Sequence, residues 1–340
     1  MKSKKFMGII ASTLLATSVL AACGGQDKAG SSDEGSKKEE AKLTLRLADN
    51  HPVDYPTVIG DQKFADLVSE RTDGRITIEV FPSGQLGDEK SVLEQVQLGA
   101  IDFARTNASP LAEFNDDLSV FSVPYLFDSD EHLWNFLNSE TGTALLDGLQ
   151  EAKMQGLAYY DSGSRNFYST NPLASIDDLK GLKIRVQQSE MNIKLMEALG
   201  ASATPMPYGE VFSALQTGII DGAENNLPSF DSSNHFQEAK HIIMDGHTRI
   251  PEVLLMSKTA WDKLSEKDQE IIKQAAIDSV ETQRQAWADY EKKSLQKITD
   301  AGVTITEVSD VAPWKEAVTP IIDEFTKSYP EIAKAVEAAK

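Results

Sequence analysis

The chain has 340 residues, of which 53 are acidic and 33 basic, giving a formal net charge of −20 with 41% hydrophobic and 25% charged residues. These are the proportions of a soluble globular protein, and they exclude a collagen-like or wholly disordered chain. No apolar run of about 20 residues occurs, which excludes a multi-pass membrane protein, and the acidity argues against nucleic acid as a partner.

The N-terminus decides the compartment. Lys2, Lys4 and Lys5 precede a mostly apolar stretch from Phe6 to Leu20, followed by Leu20-Ala21-Ala22-Cys23-Gly24. This is the pattern of a signal peptide (1–22), and its end resembles a bacterial lipobox, in which the cysteine is lipidated and becomes the new N-terminus. Cys23 is the only cysteine, so no intrachain disulfide is available. Removal of Lys2, Lys4 and Lys5 with the signal peptide takes the formal charge from −20 to −23. Residues 24–41 carry Gly, Ser and charge but no large apolar side chain, and cannot offset their ordering entropy. With the lipidated end they make a disordered tether over 23–42, reaching about 23 Å. The expected location is extracytoplasmic, anchored to the cell membrane through lipid (palmitate) on Cys23.

Alternating Leu43, Leu45 and Leu47 predict a strand. A helix follows with Ile59, Phe64, Leu67 and Val68 on one side and Gly74 beyond its end. Ile76, Ile78 and Val80 predict a second strand. After the turn Ser83-Gly84-Gln85-Leu86-Gly87, Asp88 is placed to cap a helix carrying Val92, Leu93 and Val96. This alternation predicts an α/β fold with a largely parallel sheet. The middle repeats it: a strand over 181–186, a helix over 189–199, and a helix from Tyr208 to Gln216 with Val211, Phe212 and Leu215 inward.

An internal repeat is visible. EQVQLGAIDFARTN (94–107) aligns without gaps on SALQTGIIDGAENN (213–226), with six of fourteen positions identical. Both read as a helix end, a glycine stop, a short strand and a polar tip, which implies two lobes of similar plan. From Ser265 to Ala301 there is neither Gly nor Pro, and Ser265-Glu266-Lys267-Asp268 resembles a capping box. Some 36 helical residues would span about 54 Å, enough to cross both lobes, with Ile272, Ala276, Val280, Trp287 and Ile298 as the apolar face.

Enzyme motifs are sparse. There is no Gly-x-Ser-x-Gly elbow, Walker A loop, HExxH or GxGxxG, and the five histidines show no metal-ligand spacing. Asp128-Ser129-Asp130 lacks the glycine and glutamate of a calcium loop and reads as a helix cap. The expectation is no enzyme, no cofactor and no metal. Arg185 sits between Ile184 and Val186, and a cation in apolar surroundings needs a partner. Its planar fork suits a carboxylate. Arg165 follows the strand-like Leu157-Ala158-Tyr159-Tyr160. On composition alone each arginine reads equally as a structural salt bridge or a ligand grip. Asn107 and Asn225, at the repeat tips, read as ligand hydrogen-bonders or as turn chemistry, and Tyr208 as a lid over a ligand or the start of its helix.

Four markers in order carry a family resemblance: Gly84-Gln85-Leu86-Gly87-Asp88; Asp178-Leu179-Lys180-Gly181-Leu182-Lys183-Ile184-Arg185-Val186; Thr204-Pro205-Met206-Pro207-Tyr208-Gly209-Glu210-Val211; and Ala214-Leu215-Gln216-Thr217-Gly218 running to Ile220-Asp221-Gly222-Ala223-Glu224-Asn225. Over residues 43–330 the chain resembles the substrate-binding proteins of tripartite ATP-independent (TRAP) transporters, the DctP family. The resemblance implies a two-lobe, periplasmic-binding-protein-like clamshell closing over an organic acid, with a long C-terminal helix spanning both lobes. It implies ligand contacts from Arg185 (the carboxylate grip), Arg165, Asn225 and Tyr208, where many members carry Phe. Asn50 and Asp88 match positions that touch ligand in some members, and Asn107 lies near another. Asn226 departs from the Pro that many members carry. The expected boundaries are 43–163 plus about 251–290 for the first lobe, and 164–250 plus about 291–340 for the second.

The implied function is an extracytoplasmic receptor that binds a small carboxylate and delivers it to the small and large membrane subunits. The ligand classes compatible with this are sugar acids such as uronates or aldonates, sialic acids and C4-dicarboxylates, with a lean toward a hydroxylated acid. The expected protein is a monomer. Competing readings are a receptor serving another transporter or a sensor kinase, a lipoprotein enzyme acting on sugar acids, and a structural lipoprotein.

Overall fold

The computed structural model describes residues 42–340; the signal peptide, Cys23 and all but the last residue of the expected tether lie outside the described residues. Eleven strands form two sheets among the described residues. The first sheet contains β1 (Leu43–Ala48), β2 (Ile76–Phe81), β3 (Phe103–Asn107), β4 (Met154–Tyr160) and β10 (Glu252–Ser257), in the order β2-β1-β3-β10-β4. The second contains β5 (Arg165–Ser169), β6 (Lys183–Val186), β7 (Ser202–Pro205), β8 (Gly222–Asn225), β9 (His241–Thr248) and β11 (Thr304–Glu307), in the order β11-β9-β5-β8-β6-β7.

The two orders are one plan used twice. In the first sheet β1 pairs parallel with β2 and β3, and β10 runs antiparallel between β3 and β4. In the second, β6 pairs parallel with β7 and β8, and β5 runs antiparallel between β8 and β9. The sheets are therefore mixed rather than largely parallel. The antiparallel strands adjoin the two short connections between lobes, β4 to β5 and β9 to β10, so each sheet takes in a strand whose chain arrives from the other lobe. The repeat seen in the sequence is the helix-to-strand unit of both halves. Gly99 (φ +76°) and Gly218 (φ +70°) close the equivalent helices in the left-handed region that disfavours a side chain.

Both faces of each sheet are covered by apolar clusters. Leu45, Leu47, Phe64, Val68 and Ile76 form one under the first sheet; Phe167, Ile184, Leu195 and Trp314 form one under the second. In the first helix (Pro56–Arg71) Phe64, Leu67 and Val68 face inward as expected, but Ile59 is 38% exposed and Val58 takes its inward place. The segment from Tyr208 begins with a short 3-10 turn, the helix proper is Val211–Gln216, and Phe212 is half-buried.

The long helix runs Glu266–Asp300, capped by the Ser265 hydroxyl accepting from the Asp268 N–H. Ile272 and Ala276 enter a first-lobe cluster and Ile298 a second-lobe cluster, so the helix does span both. The C-terminal stretch departs from the expected boundary of 291–340 in the second lobe. Trp314 and Val318 lie in the second-lobe core, but Phe325 and Val336 lie in the first. His132 Nε2 lies 2.8 Å from the Val336 carbonyl, fixing the last helix (Pro330–Ala338) to the first lobe. Helix propensity and amphipathicity mark such a helix but do not say which lobe it covers.

Candidate functional site

The C-terminal ends of β1, β3, β6 and β8 converge where the lobes meet. There Asn50, His51, Glu89, Asn107 and Glu252 of the first lobe, with Arg165, Arg185, Gln187, Tyr208, Asn225, Asn226 and Ser229 of the second, line a cavity of about 20 Å³. That is room for a water-sized body, so a larger ligand requires the lobes to part. Contacts across the seam hold them together: Tyr55 Oη lies 2.8 Å from Ser229 Oγ, and Asn226 Nδ2 donates to Ser162 Oγ at 3.2 Å.

Arg185 is the least satisfied cation here. It is 3% exposed, yet its Nε and Nη2 donate only to the Met206 carbonyl, at 3.1 and 2.8 Å. Among the described residues it has no carboxylate partner. Burial pulls its pKa below the ordinary arginine value, Arg165 adds to that, and Glu224 opposes both. A buried guanidinium with one neutral acceptor is a site that gains strongly from an added anion.

Arg165 is instead committed to the protein. Its Nε and Nη2 grip the Glu224 carboxylate (Nη2 to Oε1 at 2.8 Å), and Nη1 donates to Asn225 Oδ1 at 2.9 Å. Burial works against its charge, but Glu224 more than reverses this and raises its pKa. Burial would raise Glu224, whereas Arg165 and His247 hold it down at about 2. His247 lies 2.9 Å from Asp245 Oδ2 and 3.4 Å from Glu224 Oε2; against burial, these carboxylates lift it to about 9. Asn225 Oδ1 also accepts from the Asn226 N–H at 2.9 Å. The Tyr208 hydroxyl donates to the Ser229 carbonyl at 3.1 Å, and its ring lies 5.3 Å from that of His51.

The first-lobe wall is organised by Arg105, which the sequence reading missed. Its side chain is fully buried and donates to Asp49, Glu252 (2.6 Å), Asn50 and His51 Nδ1 (2.6 Å), with Glu89 at 3.4 Å. Asn50 thus lines the cavity while its Oδ1 is held by Arg105. Asn107 also lines it, but its Oδ1 accepts from the Ser109 N–H at 3.2 Å and its Nδ2 donates to Glu252 at 2.9 Å. Asp88 lies outside the lining. It is exposed and caps the helix Glu89–Gln97 by accepting from the Ser91 N–H at 3.2 Å, and its neighbour Glu89 faces the cavity. Gln187 also lines it, with a buried Oε1 that has no partner among the described residues.

The missed residues carried usable signals. Glu252 opens the apolar run Val253-Leu254-Leu255-Met256, the same kind of isolated charge that singled out Arg185. The repeat alignment puts Arg105 against Glu224, two buried charges at equivalent strand positions. It also puts Asn107 against Asn226, not Asn225. Both cap the following helix, Asn226 through the Ser229 N–H at 2.8 Å.

Residues 47–328 match the DctP family profile, described as bacterial extracellular solute-binding protein, family 7. Among solved structures, a TRAP periplasmic solute-binding protein from Xanthobacter autotrophicus Py2 with bound β-D-galacturonate is 42% identical. It has a TM-score of 0.84, over 87% of this chain and 98% of that one. Another, from Chromohalobacter salexigens DSM 3043 with bound D-glucuronate, is 38% identical with a TM-score of 0.83, over 87% and 98%. The C4-dicarboxylate-binding periplasmic protein DctP of Rhodobacter capsulatus is 33% identical over 84% of this chain and 87% of that protein.

Proposed function

The chain belongs to the DctP family of bacterial extracellular solute-binding proteins, and on that premise we propose that it is the receptor of a TRAP-type transporter for a hexuronate such as galacturonate or glucuronate. The observation that carries this reading is Arg185, buried against the cavity with only the Met206 carbonyl to satisfy it. The ligand carboxylate docks on this guanidinium through two parallel hydrogen bonds. Arg165, fixed by Glu224, and Asn225, held in turn by Arg165 and the Asn226 N–H, present their remaining donors beside it.

The opposite wall favours a hydroxylated monoacid. Glu89, Glu252 and Asn107 line it, and carboxylates accept hydrogen bonds from ligand hydroxyls. A C4-dicarboxylate would bring its second charge against Glu89 and Glu252. At an effective dielectric of 20, two like charges about 4 Å apart repel by about 4 kcal/mol. Calorimetry with D-galacturonate, D-glucuronate and succinate tests this. The uronates bind, and succinate binds at least about tenfold more weakly; succinate binding as tightly as either uronate refutes the hexuronate assignment.

Ligand contacts made only with the lobes together shift the population toward the closed form, with residues 161–164 and 249–251 as flexing connections. The closed receptor then delivers its ligand to the membrane subunits. Lipid on Cys23 anchors it outside the membrane; Cys23→Ser is expected to move the receptor from the membrane to the soluble fraction, and retention of that variant on the membrane would refute the anchor. An enzymatic role is disfavoured because the cavity's carboxylates Glu89 and Glu252 both contact Arg105, which leaves neither placed as a free acid or base.

A further inference from the structure

A second groove, of about 290 Å³, lies next to the ligand cavity and is walled by both lobes. Glu113 and Asp116, after β3, form one wall; Ser189, Met191 and Lys194, after β6, form the other. Its floor is the helix Ala312–Ser328, through Ile321 and Phe325. Two hydrogen bonds stitch the walls together. Asn192 Nδ2 donates to Ser109 Oγ at 2.9 Å, and the Glu190 N–H donates to the Glu113 carboxylate at 3.3 Å.

The groove's chemistry is one-sided. Four carboxylates line it (Glu113, Asp116, Glu190 and Glu324), and Lys194 is the single cation. Lys194 is already held by Glu190 at 3.3 Å and Glu324 at 3.1 Å. Ser189 is a second and independent sign of an absent partner. It occupies the N-cap position of the helix Glu190–Ala198, but its hydroxyl caps nothing. The residue is 3% exposed, and its Oγ has no hydrogen-bond partner among the described residues. A buried hydroxyl left this way costs about 1–3 kcal/mol.

We propose that this groove is where a membrane subunit reads closure of the receptor, and that its occupant is an arginine or lysine of that subunit flanked by apolar side chains. The carboxylates attract the cation and Ser189 Oγ accepts a hydrogen bond from it. Phe325, Ile321 and Met191 cover its aliphatic stem. The reading of closure follows from the chain path. Gln187 faces the ligand and Ser189, two residues on, faces the groove; Asn107 faces the ligand and Ser109, two residues on, holds Asn192. The strand ends that ligand draws together are thus the ones that assemble the groove, which couples the two sites thermodynamically.

This inference rests on the receptor reading but fails separately from it. The test uses the full chain with its cognate membrane subunits in proteoliposomes, comparing wild type with the double charge reversal Asp116→Lys/Glu324→Lys. Both residues are exposed, and neither lines the ligand cavity. The expected result is a calorimetric Kd for D-galacturonate within about twofold of wild type, with uptake reduced about tenfold or more. Asp116→Asn/Glu324→Gln falls between, and wild-type uptake weakens as ionic strength rises. Wild-type uptake by the charge-reversed receptor overturns the proposal. So does joint loss of affinity and uptake, which would make the groove a structural seam. A wild-type protein that binds no uronate removes the reading on which it rests.

Discussion

The two lobes solve one structural problem with opposite signs. Each places a buried ion pair between the antiparallel strand and the member of its parallel trio that borders it. In the first lobe the cation is on the trio (Arg105 of β3) and the anion on the antiparallel strand (Glu252 of β10). In the second the anion is on the trio (Glu224 of β8) and the cation on the antiparallel strand (Arg165 of β5). Around these pairs the surplus differs. Arg105 faces Asp49, Glu89 and Glu252, so its wall has excess negative charge. Glu224 faces Arg165 and His247, while Arg185 stands nearby without a carboxylate. Equivalent scaffolds thus present a cationic wall and an acceptor wall to one cavity, and the proposed ligand, an acid with hydroxyls at its other end, matches that asymmetry.

The largest effect should come from breaking the saturated side. Arg105→Met strands Asp49, Glu252 and Glu89 in the interior, and removing one partner of such a buried network costs about 3–5 kcal/mol. Chemical denaturation should show that loss, whereas a change under about 1 kcal/mol would mean the carboxylates shed their charge cheaply. The unsaturated side responds differently. Arg185→Lys keeps the charge but loses the fork, so uronate Kd rises about 100-fold, or about 2.7 kcal/mol, while the unfolding midpoint of the ligand-free protein moves little. Near-normal calorimetric binding by that variant would take Arg185 out of the ligand site.

His247 sharpens the comparison through pH. Its folded pKa of about 9 lies above the ordinary value of 6.5. The stabilisation it gives is therefore fully present below about pH 6.5 and lost as pH rises through 9. The size is on the order of 3 kcal/mol. Wild type should lose stability across that window relative to His247→Gln, whose curve lacks the step. Parallel curves would show that His247 is not the titrating group. At the acid end, Glu224, held at about 2 against an ordinary 4.5, contributes stability above pH 4.5 that is lost as pH falls through 2.

How much of this was legible in the sequence follows from how local each signal is. Arg185 stood out because its two neighbours are apolar, a judgement needing three residues. The repeat disclosed two lobes of one plan because helix end, glycine and strand follow within fourteen residues. Arg105 was hidden by the same logic. Its neighbours Ala104 and Thr106 make no contrast, and its partners Asp49 and Glu252 lie 56 and 147 residues away. The mixed character of the sheets and the return of Phe325 and Val336 to the first lobe are equally non-local, since they depend on which chain segments cross between lobes.

Asp88 gives the smallest effect and separates a motif's local meaning from its inherited one. Its place in Gly84-Gln85-Leu86-Gly87-Asp88 suggested a ligand contact, but its side chain accepts from the Ser91 N–H and sits outside the cavity lining. Glu89, one residue on, reaches the Asn107 N–H at 3.0 Å and faces the cavity. A cap of this kind is worth about 0.5–2 kcal/mol. Asp88→Ala should therefore lower the thermal midpoint by a few degrees, on the order expected for about 1 kcal/mol, and leave the uronate Kd within about twofold. Asp88→Asn, which keeps a capping oxygen, should recover most of that stability. A tenfold loss of affinity in the alanine variant with an unchanged midpoint would place Asp88 against the ligand, beside Glu89 in the acceptor wall.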